Sequence, residues 1–221
     1  MISTWDEMKF WDTGEWQVME ERLDDLEKAK VVYNPDRDKL FAALDASPLL
    51  QTRVAIFGQD PYPNHKDATG IAFSVPPKRK LPPTLVSIFN EYHNDLGLPV
   101  PTSGSLTSWA EQGVLLWNVI PTCEANKSLS HEGWFEWRFL TDEIIKVLCA
   151  KNVKPVLVFL GGRARSFVKE VPDGIKVIET SHPSPRGSLA SKVPFIGSRI
   201  FSKINDALCE MDQPPINWKL S

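Results

Sequence analysis

A chain of 221 residues with 42% apolar and 24% charged side chains can bury a sizeable core, and it fits one domain spanning residues 1–221. Its net charge of -3 excludes a global basic field, so any surface for a polyanion must be local. The three cysteines, Cys123, Cys149 and Cys209, stand far apart with no Cys-x-x-Cys and no histidine at ligand spacing; they read as reduced thiols, and no metal or other cofactor is expected.

The start, Met1-Ile2-Ser3-Thr4-Trp5-Asp6-Glu7, is acidic where a signal peptide would be basic and then apolar. No apolar run approaches the ~20 residues of a spanning helix, so a cytoplasmic protein without a membrane segment is the expectation. Residues 1–15 are rich in Trp and have no clear period. Trp16 to Lys30 reads as a helix with Met19, Leu23 and Leu26 on one face. Asn34-Pro35 then predicts an N-cap and first-turn proline for a second helix carrying Leu40, Phe41 and Leu44. These first fifty residues read as a helical part of the same domain.

Val54-Ala55-Ile56-Phe57 has the length and composition of a buried strand, and it breaks into Gly58-Gln59-Asp60-Pro61-Tyr62. Leu81-Pro82-Pro83-Thr84 opens a helix with Leu85, Ile88, Phe89, Tyr92 and Leu96 at helical spacing. Ser105 to Gln112 is a short helix stopped by Gly113, and Val114 to Trp117 is a second buried strand followed at once by Asn118. A long amphipathic helix over Trp134 to Leu148 follows. Val156 to Leu160 is a third strand turned by Gly161-Gly162, and Lys176 to Thr180 is a fourth that runs into Ser181-His182-Pro183-Ser184-Pro185. The last helix carries Ile200, Ile204 and Leu208.

Strands separated by helices imply right-handed crossovers, and hence a three-layer α/β architecture around a four-stranded parallel sheet. The carboxyl ends of the strands then share one rim, where open α/β sheets bind ligands. Asp60 and Tyr62, Asn118, and His182 therefore converge. Each alone has an ordinary structural role available; four together at strand ends point to a site. An Asp, a His, a selective amide and aromatics suit a hydrolysis in which cationic charge develops on one fragment and anionic charge on the other.

At these residues the chain resembles family 1 uracil-DNA glycosylase. The resemblance lies in Gly58-Gln59-Asp60-Pro61-Tyr62 with Gly70-Ile71-Ala72-Phe73-Ser74-Val75, in Leu115-Leu116-Trp117-Asn118 and in His182-Pro183-Ser184-Pro185. It extends to Pro82-Pro83-Thr84, to the run from Trp109 to Leu116 and to Gly133-Trp134. It implies excision of uracil from single- or double-stranded DNA, leaving an abasic site. By the resemblance, Asp60 orients water and stabilises the cationic sugar, and His182 donates to the departing uracil O2. Tyr62 stands where thymine carries its methyl, Phe73 stacks on the flipped base, Asn118 reads its N3 and O4 edge, and the Gln59 backbone helps hold O2. Desolvating the base's polar edge requires such matched partners. Thr84 and Ser184 match phosphate-gripping segments, and Lys78, Arg79, Lys80, Arg163 and Arg165 offer local positive charge.

Three departures from the family pattern stand out. Arg186 follows Pro185 where a leucine usually wedges into the duplex, and Gly187 replaces a phosphate-binding serine. The loop on to Phe195 is also longer, which makes Leu189 a second candidate wedge. Pro63 replaces a histidine after the loop tyrosine, and Lys127-Ser128 alters a segment richer in histidine. The reading needs only a monomer with uracil-containing DNA as its partner, and the sequence leaves open whether a proteinaceous inhibitor binds the DNA groove. Competing readings are a non-catalytic module that senses uracil or damaged DNA, which needs neither Asp60 nor His182, and a glycosylase of the mismatch or iron-sulfur kind. Tyr62 and the cysteine spacing disfavour the latter.

Overall fold

A computed structural model describes residues 4–152, 154–187 and 192–220. Its centre is a sheet of four parallel strands in the order β3-β2-β5-β6, with β2 at Val54–Gly58, β3 at Val114–Asn118, β5 at Val156–Leu160 and β6 at Lys176–Thr180. Two further short strands, β1 (Tyr33–Asn34) and β4 (Cys123–Glu124), pair antiparallel as a separate ribbon that the apolar patterning did not predict. Strands of two residues carry no periodicity to read.

The inner strands read as unbroken apolar runs because both of their faces are covered. Along β2, Ala55 and Phe57 point into one core together with Leu115, Trp117, Leu157 and Phe159, while Val54 and Ile56 point into the other with Leu116, Val158 and Leu160. Helices α1 (Gly14–Lys28) and α5 (Phe135–Ala150) fill the first side through Met19, Leu23, Leu140 and Ile144. Helices α3 (Pro83–Leu96) and α7 (Ile200–Glu210) fill the second through Leu85, Phe89, Ile204 and Leu208. Short helices α2 (Ala42–Ala46), α4 (Thr107–Ala110) and α6 (Gly162–Arg165) join these layers. The three-layer α/β expectation therefore holds, with β6 as the less buried edge.

The expected helix start at Asn34-Pro35 is corrected. Asn34 belongs to β1, its bond to Pro35 is cis, and the chain enters a 3-10 turn at Arg37–Lys39 and then α2. The Asn34 side chain caps no helix; it faces the loop after β2 instead. Among the described residues, no helix is long and apolar enough to cross a membrane.

Candidate active site

The sheet register brings the strand ends together. Gly58 pairs with Asn118 and Leu160 with Thr180, so Gln59-Asp60, Asn118 and Ser181-His182 leave one rim. A cavity of ≈ 260 Å³ opens there, lined in part by Gln59, Asp60, Tyr62, Phe73, Thr84, His182 and Ser184. Seven of the ten residues singled out from the sequence therefore share one space. Asn118 does not line it; it lines a narrow neighbouring cleft that shares Pro61, Tyr62 and Phe73 with the cavity. Its amide, part-exposed at the end of β3, makes no hydrogen bond with another described residue. Arg186 is exposed at a turn outside the cavity, and Leu189 lies outside the described residues.

The Asp60 carboxylate is nearly saturated. Gln59 Nε2 donates to Oδ1 at 2.8 Å, while Ser128 Oγ at 2.6 Å and the Leu129 N–H at 2.7 Å donate to Oδ2. An ionised carboxylate offers about four acceptor positions, which leaves room for roughly one water. Ser128 appeared in the sequence only as a departure from the family pattern. In the fold it lines the cavity and orients the carboxylate. Ser128→Ala is expected to slow a reaction that uses the Asp60 carboxylate about fivefold, the scale of one net hydrogen bond of about 1 kcal/mol, with substrate KM unchanged. Steady-state kinetics check this, and a parent-like kcat would refute it.

His182 accepts a hydrogen bond at Nδ1 from the Ser184 N–H at 3.1 Å, so its proton sits on Nε2. Burial pushes the imidazole below its ordinary range, Asp60 opposes that, and Arg163 adds to it. The ring can thus donate from Nε2 while neutral. Gly161, at φ +92°, lets it sit this close, because a Cβ there would lie 2.8 Å from His182 Cβ. Gly58 does the same for the opposite wall. A Cβ on it would meet Asn118 Oδ1 at 2.7 Å and the Phe73 ring at 2.8 Å.

Tyr62 donates its phenolic hydrogen to the Phe73 carbonyl at 3.0 Å, and burial, ahead of the Asp67 carboxylate, holds the phenol protonated. Phe73 itself has φ +66°, a left-handed conformation that costs a bulky residue about 1 kcal/mol or more and marks a constrained site. The neighbouring Ala72 N–H is bonded to the Leu116 carbonyl of β3 at 3.0 Å, so this segment is tied to the sheet.

The DNA-facing expectations divide. Gly187 closes a turn by donating to the Ser184 carbonyl at 2.9 Å, with Pro185 and Arg186 at its exposed tip. A serine at 187 would not fit this turn, since a Cβ there would lie 2.7 Å from the His182 carbonyl oxygen. Of the five basic side chains, Arg79 is ion-paired with Asp67, Arg163 with Glu132 and Arg165 with Glu179. Lys78 and Lys80 have no ion-pair partner among the described residues. Exposed pairs such as Arg163–Glu132 are worth ~0–1 kcal/mol and can reorganise when a phosphate arrives.

The segment bearing Ser128 is anchored by His131, which lies against Thr122 Oγ1 at 2.7 Å and stacks on Trp134 at 3.8 Å. Burial pushes His131 down to about 4, with Glu124 opposing and Arg22 adding. The unfolded chain, near 6.5, takes up this proton first as pH falls. The contribution of His131 to stability is therefore whole above pH ~6.5 and falls by on the order of 3 kcal/mol by pH ~4. Urea unfolding at pH 7, 5 and 4 should show a smaller loss in His131→Gln than in the parent; equal losses would refute it.

The sheet order and the rim-side cavity define a class, a three-layer α/β protein with its candidate site at the carboxyl ends of parallel strands. The chain belongs to the uracil DNA glycosylase superfamily, whose model matches residues 44–209. It is 40% identical over 219 residues to the uracil-DNA glycosylase of Bacillus velezensis, covering 98% of this chain and 94% of that protein. It is 43% identical over 190 residues to the uracil-DNA glycosylase of Thermobifida fusca, covering 85% of this chain and 80% of that one. The crystal structure of mimivirus uracil-DNA glycosylase is similar at a TM-score of 0.87 and 26% identity, over 96% of this chain and 85% of that chain. A variant of the mimivirus protein, solved in complex with UGI, is similar at the same TM-score of 0.87.

Proposed function

We propose that this chain excises uracil from single- or double-stranded DNA by hydrolysing the N-glycosidic bond. The observation that carries the proposal is a carboxylate held by three donors facing the same cavity as a neutral, Nε2-protonated imidazole. The flipped nucleotide enters the cavity and its base stacks on Phe73. Asp60 orients the attacking water and stabilises the positive charge that develops on the sugar. His182 Nε2–H donates to uracil O2 as the base leaves as an anion, beside the Gln59 backbone. The Asn118 amide pairs with N3 and O4, an edge on which cytosine's amino group presents a donor where uracil accepts. Tyr62 occupies the place of a 5-methyl group and so excludes thymine. The protein acts as a single-domain cytoplasmic monomer with uracil-containing DNA as its partner, and a proteinaceous inhibitor would compete at the same groove.

Thr84 and Ser184 line the cavity, and in this reading they grip the phosphates that flank the flipped nucleotide. Arg186 or Leu189 fills the duplex as the base leaves. Arg186→Ala or Leu189→Ala should slow release from a duplex roughly tenfold, a part of the few kcal/mol that unstacking costs, and leave single-stranded substrate unchanged. Parent-like rates on the duplex in both variants would eliminate the wedge. The central test is base release in EDTA from matched oligonucleotides carrying uracil, thymine or cytosine, with His182→Ala alongside the parent. Release of uracil alone, slowed in the variant, is expected. Tight binding of uracil-DNA with no release by the parent would instead make the protein a reader of uracil.

A further inference from the structure

The reactive groups on Asp60 and Tyr62 ride on a segment with no regular structure of its own. Three successive carbonyls of that segment take hydrogen bonds from outside the sheet. The Cys123 thiol lies 3.7 Å from the Pro61 oxygen; Asn34 Nδ2 donates to the Tyr62 oxygen at 3.0 Å and to the Pro63 oxygen at 2.7 Å; and the Asn126 N–H adds a bond to Pro63 at 2.8 Å. Asn34 and Cys123 are register partners on the β1–β4 ribbon, so both donors come from one rung. The turn that follows β4 supplies Ser128 and Leu129 to the Asp60 carboxylate. Ribbon and turn together hold the backbone and the charged end of the same loop.

The Asn34 amide can sit only one way round. Carbonyl oxygens accept but cannot donate, so Nδ2 faces them and Oδ1 faces His65 Nδ1 at 2.8 Å, where the ring must carry a hydrogen. His65 Nε2 lies in turn 3.2 Å from Asp36 Oδ1. Asn34 is fully buried, and the Tyr62 carbonyl has no other hydrogen-bond donor among the described residues. We infer that Asn34 is a positioning residue for the hydrolytic step, fixing the Asp60–Pro63 backbone so that the carboxylate meets its water in a productive geometry. The inference rests on the reading of Asp60 as the water-orienting group.

Single-turnover rates at saturating uracil-DNA, KM and urea unfolding should be measured for the parent, Asn34→Ala, Cys123→Ala, His65→Ala and Asp60→Asn. A sub-ångström to ångström shift of a reacting group costs up to about 100-fold, so folded Asn34→Ala is expected to lose roughly 10- to 100-fold in rate with KM within about threefold of the parent. Cys123→Ala, which gives up the long bond to the Pro61 oxygen and the thiol's contact with Asn34 but keeps the amide, should lose less. A rate within about twofold of the parent, or a loss carried wholly by KM, would overturn the inference, because a shift in geometry acts on the rate of the chemical step. If Asn34→Ala does not fold, the half-exposed His65 decides instead: about a threefold fall in rate with unchanged stability supports the inference, and a parent rate overturns it. An inactive Asp60→Asn beside a fully active Asn34→Ala sinks only this inference. An Asp60→Asn variant at the parent rate sinks the reading beneath it.

Discussion

Asp60→Asn is expected to lower the rate of uracil release on the order of 10²- to 10³-fold, the scale on which loss of one pre-organised electrostatic partner is felt. The side chain keeps its shape, so the cavity and its binding of DNA should be preserved. What changes is charge. The carboxylate accepts from Gln59, Ser128 and the Leu129 N–H at once, an arrangement built for an anion. An amide must turn its NH2 group towards one of these donors, and it offers no negative charge to a cationic sugar. The loss should therefore appear in kcat and not in KM. A single-turnover assay at saturating substrate reads it, and a variant within tenfold of the parent would remove Asp60 from the chemistry.

Replacing the Tyr62 ring should change selectivity more than speed. Tyr62→Ala opens the wall between the cavity and the neighbouring cleft, both of which the ring lines. Exclusion of one methyl group is worth about 10- to 200-fold, so thymine release should rise by a comparable factor relative to uracil release. Tyr62→Phe separates the two roles of this side chain. It keeps the wall but deletes the bond to the Phe73 carbonyl, so it should stay selective while losing some support for the left-handed Phe73 backbone. Matched oligonucleotides carrying uracil or thymine against the same partner strand read both outcomes. A Tyr62→Ala protein as selective as the parent would show that discrimination lies elsewhere in the pocket.

The parts of this molecule legible in the sequence are those whose physics is local. Val54 to Phe57 and Val156 to Leu160 read as strands because a parallel strand covered on both faces must be apolar without a break. Asp60 and His182 stood out because abrupt polar breaks at the ends of such runs are where a rigid scaffold presents side chains. Asn34 misled for an equally local reason: an Asn-Pro step resembles a helix start, and nothing nearby says that the amide is needed 28 residues further on. Ser128 looked like a deviation because its partner, Asp60, lies 68 residues away. Arg79, Arg163 and Arg165 offer local positive charge in the sequence, and only the fold sets an acidic partner beside each of them.

Local sequence patterns are enough for the layer architecture, the order of elements along the chain and the identity of the groups at the sheet's rim, because burial, periodicity and chain-break chemistry act over a few residues at a time. How those groups are held is set by the folded chain alone. It assigned the three donors on Asp60, the proton on His182 Nε2, the wall shared by the cavity and the Asn118 cleft, and the ribbon behind the Asp60–Pro63 loop. Each of these depends on a hydrogen bond or close contact whose direction and partner are set by packing between distant segments, a quantity no local pattern of residues encodes.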